Sequence, residues 1–380
     1  MQTPHCSRRQ LISGGAAAAL SMVRPAFALA PTAPVSVARC PAYGPGVLPQ
    51  LETMFDQLGG LGRLVKGKTV AIKLNLTGRA DSRIHHIPAG RAQWVHPDVI
   101  AATLHLLDRA GAHRVRLLES PWSSAEPLQE FMSWADWDPR MFTSAAKRVE
   151  FENTNFLGPA RHYSRFQVPG GGYMFDGYDM NRAYEDCDVF VSLAKLKESP
   201  AAGVTLSIKN LFGCLPATIY GDGAGEKEPS KWPRGGRGIM HSGSRNPPGW
   251  LEKQPSSPRE PGYRIPRIIV DVARARPIHL AIIDGIETIT RGPTPRRDTK
   301  HLKPGLLIAG TNCVTTDAVC TALMGYDPMT DRGTPPFETR DNTMRLAEEA
   351  GLGTRDLRRI EVAGASIASS VFDFRKADPR

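Results

Sequence analysis

The sequence predicts an α/β protein, a mainly parallel sheet flanked by helices, with an irregular insertion and a long Gly/Pro-rich loop. Three observations lead there. Short β-branched runs alternate with segments of helical period, the signature of strand–helix–strand units. One such unit is complete between residues 68 and 120. Between residues 221 and 262 the chain is almost all Gly, Pro, Ser and charge, too long for a plain connection in a compact domain and therefore read as a lid or a functional loop.

Taken in order, residues 68–76 read as the first strand of that unit. His96-Pro97-Asp98 then opens a helix, with proline suited to its first turn and Val99, Ile100, Leu104 and Leu107 forming its apolar face. Gly111 ends it, and 114–120 is the next strand, reached by a right-handed crossover. The insertion, 121–180, is rich in aromatics and contains Gly170-Gly171-Gly172; a helix and a small hairpin are expected in it. The parallel pattern resumes with a strand at 188–193 and a helical segment at 203–211 closed by Gly213. After the long loop, which carries His241, come a helix near 265–275, strands at 279–284 and 305–310, helices near 316–324 and 338–350, and a last strand at 359–363.

The N-terminus has the layout of a removable leader. Ser7-Arg8-Arg9-Gln10-Leu11-Ile12 precedes a weakly apolar stretch that ends in Arg24-Pro25-Ala26-Phe27-Ala28. The paired arginines, the Ala- and Gly-rich core and the arginine before Ala-x-Ala resemble twin-arginine signal peptides. The apolar run is about half of the ~20 residues that span a bilayer, so cleavage after Ala28 or Ala30 is expected and no stable membrane anchor. Four regions follow: 1–30 leader, 31–67 N-terminal extension, 68–365 α/β domain, 366–380 tail. The expected location is the periplasm, or outside the cytoplasm by the twin-arginine route, with the translocation machinery as a partner.

The chain carries 48 basic and 38 acidic residues, and its first 30 hold three arginines and no acid, which leaves +7 for the exported part. There is no Lys/Arg run and no basic stripe interleaved with aromatics, so nucleic acid is not an expected partner. Five cysteines remain after processing, Cys40, Cys187, Cys214, Cys313 and Cys320, with neither a disulfide framework nor a CxxC metal knuckle. An oxidising destination permits a bridge or two, yet Cys187, Cys313 and Cys320 adjoin core segments and read as small buried hydrophobes. His85-His86, His96, His241 and His301 lack HExxH or HxH spacing, so no metal site is expected. GxSxG is absent and no GxGxxG follows a strand; the SxxK spacing at Ser192–Lys195 falls in a strand run, and the GxxxxGKT spacing at Gly62–Thr69 precedes a strand where a phosphate loop would follow one, so neither supports its usual site and the cofactor is left open.

Ligands of open α/β sheets bind outside the carboxyl ends of the strands, and polar residues gather there. The first strand of the unit ends in Lys73 and Asn75, the next in Glu119-Ser120, the third in Lys195 and Lys197, the fourth in Asp284-Gly285. Lys209-Asn210 closes the helical segment and Asp317 sits in the first turn of a helix. Each has a plain reading beside the functional one. Lys73 could be a solvated strand lysine facing away from Ile72 and Leu74, Asp317 a helix-start residue, Asp284 a strand-end turn. Together they outline a cationic cleft, with Lys73, Asn75, Lys195, Lys197 and Asn210 as ligand-binding residues and Lys209, Asp284 and Asp317 as catalytic ones.

The blocks at 70–75, 96–100, 188–197, 203–213, 282–285 and 316–319, above all Lys195-Leu196-Lys197 and Ile208-Lys209-Asn210-Leu211-Phe212-Gly213, resemble the domain-of-unknown-function family numbered 362 over about residues 68–330. The resemblance implies family membership and no particular reaction. Some relatives carry an added ferredoxin-like domain with cysteine tracts; this sequence has no such tract, which speaks against a protein-bound iron–sulfur cluster, since a cluster needs about four thiolates. Two classes of function stay open. One is an enzyme on a small anionic molecule, with Lys209 as base or carbonyl-polarising group and a carboxylate moving a proton. The other is a periplasmic small-anion binding or cofactor-assembly protein whose lysines only neutralise the ligand. Carboxylates among the lysines favour the enzyme, since a pure anion site has no use for them.

Overall fold

The computed structural model describes residues 29–121, 124–222, 232–233, 236–243 and 252–378. The expected leader, apart from residues 29 and 30, lies outside the described residues, as do residues 223–231, 234–235 and 244–251 of the Gly/Pro-rich loop.

Eight strands form the central sheet: β1 (Val35–Arg39), β2 (Thr69–Lys73), β3 (Arg114–Glu119), β4 (Val149–Asn153), β5 (Val189–Lys195), β6 (Leu280–Gly285), β7 (Leu306–Gly310) and β8 (Val362–Gly364). Their order is β8-β1-β7-β6-β5-β2-β3-β4. From β6 to β4 all neighbours are parallel; β7 runs antiparallel to both β6 and β1, and β1 is parallel to β8. The five strands expected at 69–75, 114–119, 188–193, 279–284 and 305–309 all belong to this sheet.

Side-chain alternation divides the sheet between two apolar layers. Val70, Ile72, Val191, Leu193 and Ile282 pack with α1 (Val47–Gln57) and α2 (Pro97–Arg109) on one face. Ala71, Phe190, Ala194, Ala281 and Ile283 pack on the other with α5 (Pro261–Ala275), α6 (Cys313–Leu323) and α7 (Thr343–Glu349). Between the two sets in the chain lie α3 (Leu206–Asn210) and α4 (Gly238–Ser242).

Helix starts follow the sequence. Pro97 occupies the first turn of α2, and the His96 ring accepts from the Asp98 amide at 3.2 Å. The segment before Lys68 contributes β1 and α1 to the same body, and Phe374 near the C-terminus is buried against the α6 layer. The five described cysteines are free thiols; Cys187 is half-buried, the others buried. Among the described residues no helix is long and apolar enough to cross a membrane.

Candidate functional site

At the carboxyl end of β2 the chain turns out of the sheet, and a cleft opens there against α3 and the turn that follows it. Its walls include Lys73, Asn75, Glu119, Lys209, Phe212 and Arg237. The cavity between them is small, about 60 Å³.

Alternation sends Lys73 to the face opposite Ile72, as expected, and there it is buried rather than solvated. Its Nζ lies 2.6 Å from Glu119 Oε1 and also donates to the Leu74 carbonyl. The Glu119 carboxylate further accepts from the backbone amides of Leu76 and Ser120 at 2.8 and 2.9 Å. A buried ion pair of this kind persists because its remaining lone pairs are also satisfied. Gly213 permits the approach: a Cβ there would stand 2.6 Å from Lys73 Nζ and 3.0 Å from Glu119 Oε1. Asn210 bridges the wall, accepting from Asn75 Nδ2 at 3.0 Å and donating to the Lys73 carbonyl and the Ser192 hydroxyl. The Asn75 side-chain oxygen is buried and has no partner among the described residues.

Lys209 carries no such compensation. Among the described residues its ammonium has no carboxylate and no hydrogen-bond acceptor; it rests 4.7 Å from the Phe212 ring centroid. Burial, reinforced by Arg237 and Lys73, brings its pKa down to about 7.

Arg237 was not singled out by the sequence. It is buried, lies 5.7 Å from the same ring, and donates to the Leu215 and Ser120 carbonyls without meeting an acid. Burial pulls its pKa down to about 10. Its backbone sits in the left-handed region at φ 65°, uncommon away from glycine and a conformation that clusters at functional sites. The adjoining α4 brings His241 within 5.1 Å of the Phe212 ring, and burial lowers this imidazole to about 4. Of the described part of the long loop, Arg237 lines the cleft and His241 packs on its Phe212 wall.

Lys195 and Asp284 are register partners on β5 and β6 and share the opposite face of the sheet, the α1–α2 side, away from the Lys73 wall. Nζ and Oδ2 are 2.8 Å apart with both side chains fully buried. Asp284 also accepts from the Tyr43 hydroxyl at 3.1 Å, the His96 amide at 2.9 Å and the Ile286 amide at 3.1 Å. Tyr43 lies flat on His96, ring centroids 3.6 Å apart. Burial lowers the Lys195 pKa against the pull of Asp284. Lys197, just past the strand, is buried with its Nζ on the Gln93 carbonyl at 2.9 Å; burial, with Lys195 and Lys209 nearby, holds its pKa far below the ordinary lysine range.

Asp317 stands apart as well. Its Oδ1 accepts from the Ser207 amide and hydroxyl at 2.9 and 2.6 Å, and its Oδ2 from the Ile208 amide at 3.0 Å. It anchors the start of α3 from α6, three residues before Lys209. Burial raises its pKa to about 7, against those hydrogen bonds.

Of the eight residues chosen from sequence, the structure thus brings Lys73, Asn75, Lys209 and Asn210 into the cleft. Lys195, Lys197, Asp284 and Asp317 are not among its walls, and the two aspartates expected to move protons there have their oxygens engaged elsewhere. The carboxylate in the cleft is Glu119. Its signal was visible in the strand end Glu119-Ser120; Arg237, in a loop without periodicity, had none beyond its charge.

Two solved structures are similar to parts of this chain, each at 12% identity. A protein from Thermotoga maritima matches with a TM-score of 0.33 over 69% of this chain and 55% of its own. The lactate racemase apoprotein from Thermoanaerobacterium thermosaccharolyticum matches with a TM-score of 0.30, over 71% of this chain and 54% of its own. This chain spans about half the length of both. A thylakoid-associated protein of Synechocystis sp. is 28% identical over 306 residues, 78% of this chain and 76% of the relative. The model of the family called Domain of unknown function (DUF362) matches residues 70–322, most of the sheet and every wall of the cleft, and the chain belongs to that family.

Proposed function

We propose that this is an exported protein that takes a small anionic molecule into the cleft at Lys73, Lys209 and Arg237 and acts on it as an enzyme. One observation carries the reading: three buried or half-buried cations line the cleft with a single carboxylate, Glu119, which is already committed to Lys73. Lys209 and Arg237 have no acid of their own, so a bound anion offsets a repulsion that the empty protein bears. A solvated surface would not sustain it.

In this reading Lys73 and Asn210 fix the wall, Asn75 turns its unpartnered oxygen to a ligand donor or water, and Lys209 is the acid–base group, poised near neutrality. Asp284 holds Lys195, and Asp317 holds the turn that presents Lys209. Lys197, which shares the Lys209 field, adds to the potential of the site.

The leader, with Arg8-Arg9 and its short Ala/Gly-rich core, supports twin-arginine export to the periplasm and cleavage near Ala28. The Synechocystis relative is thylakoid-associated, which is compatible with a chain carried to a membrane. Native mass spectrometry of protein purified from its own periplasm tests the site. A retained anion, lost in Lys209→Met, is expected; a protein that comes out bare and is unaffected by anions in thermal unfolding sinks the reading.

A further inference from the structure

We propose that Lys209 is a covalent anchor for a short oxo acid, its amine condensing with the ligand's aldehyde or ketone carbon while Arg237 receives the carboxylate. This rests on the reading of the cleft as a small-anion site and names the class of anion. The argument is geometric. An amine meant only to neutralise an anion, or to hold a fold together, is met by acceptors, as Lys73, Lys195 and Lys197 are. Lys209, half-buried, is the exception among these lysines, with its Nζ against an aromatic face at 4.7 Å and open to the cleft. Arg237, on the same ring, spends Nε and Nη2 on the Leu215 and Ser120 carbonyls and keeps Nη1. An amine beside a guanidinium on one apolar platform suits a molecule that carries a carbonyl next to a carboxylate.

The chemistry balances without a co-reactant. The Nζ lone pair attacks the carbonyl carbon, a C–N bond forms, and the oxygen takes a proton to give a carbinolamine. The proton that nitrogen sheds on attack makes the hydroxyl; a second proton, from solvent, lets it leave as water and gives a protonated imine, with no net change in oxidation state. A pKa of about 7 keeps much of the Lys209 amine uncharged, the form that attacks.

Pyruvate with cyanoborohydride tests this on the full mature protein, with peptide mapping by mass spectrometry. The expected result is one reduced adduct on the Lys209 peptide, formed roughly tenfold faster than on any surface lysine. Propionate, which has the carboxylate but no carbonyl, should slow the labelling, a readout on the native chain that needs no variant to fold. Lys209→Arg should abolish the adduct. Labelling spread over surface lysines, or none, overturns the anchor. If propionate still raises the melting temperature while pyruvate leaves no adduct, the imine fails and the anion site stands; if neither acid protects or labels, both fall.

Discussion

Lys195 Nζ and Asp284 Oδ2 meet at 2.8 Å across adjacent strands, fully buried, with Tyr43 closing the pair from the N-terminal segment. Neither charge has water to fall back on. Asp284→Asn should therefore cost about 3–5 kcal/mol, the scale for removing one partner of a buried pair. Joint replacement with Lys195→Met should recover part of that loss. Urea denaturation of the three variants measures it; additive losses would show that the two groups do not depend on each other.

Lys209→Met should behave in the opposite way, raising stability while ligand retention is lost. The folded pKa, about 7, lies below that of an unfolded lysine, so the folded chain binds fewer protons between the two values. The charged amine is a full burden below about pH 7, and wild-type stability should climb from there toward pH 10. The gain in the methionine variant should be largest at pH 6, on the order of 2–3 kcal/mol once contact with the cleft is allowed for. A variant less stable at pH 6 than the wild type would mean that Lys209 is structural.

Asp317 should give the reverse slope. Its folded pKa of about 7 is above the unfolded value, so its contribution is fully present below about pH 4 and is lost as pH rises through 7. Asp317→Ala should lack that segment of the stability profile. It should also cost about 2–4 kcal/mol, because the Ser207 and Ile208 amides lose their acceptor. If Asp317 positions Lys209, pyruvate labelling should slow in this variant, and the surviving folded fraction should not account for the loss.

Gly213→Ala probes the Lys73–Glu119 wall. The new methyl would press on the ion pair, so a loss of about 1–3 kcal/mol is expected from overpacking, together with weaker anion protection. Unchanged melting with and without propionate would remove Gly213 from the account.

Export has its own measurement. Changing Arg8 and Arg9 to lysine should leave precursor in the cytoplasm, seen as an unprocessed band in fractionated cells. Undiminished export of the mature form would contradict a twin-arginine leader.

The parallel core was legible because β2, β5 and β6 are mostly apolar runs, and β3 carries Val115, Leu117 and Leu118, with helical periods between them. β4 was not: its sequence, VEFEN, alternates acids with apolar residues, and Glu150 and Glu152 pair with Arg114 and Arg116 of β3 only once the strands lie side by side. β1 is a five-residue strand outside the strand–helix units and offered no periodicity to read. Direction is also silent in a β-branched run, so the antiparallel course of β7 emerged from the pairing alone. The site divided for a related reason. Alternation correctly turned Lys73 from Ile72, but only the sheet order shows that Lys195 and Asp284 face the other layer. Asp317 read equally well as a helix-start acid or a catalyst, and its bonds to Ser207 and Ile208 come from a segment 110 residues away.

β1 pairs on one side with residues 306–310 and on the other with residues 362–364. Among the described strands, the first in the chain is thus held by the last two, and the sheet is incomplete until both have been made. Contacts so distant in sequence form late and slowly. A chain drawn through a narrow pore from its N-terminus would arrive with β1 stranded and its partners still behind; one carried across whole would bring the seam already shut.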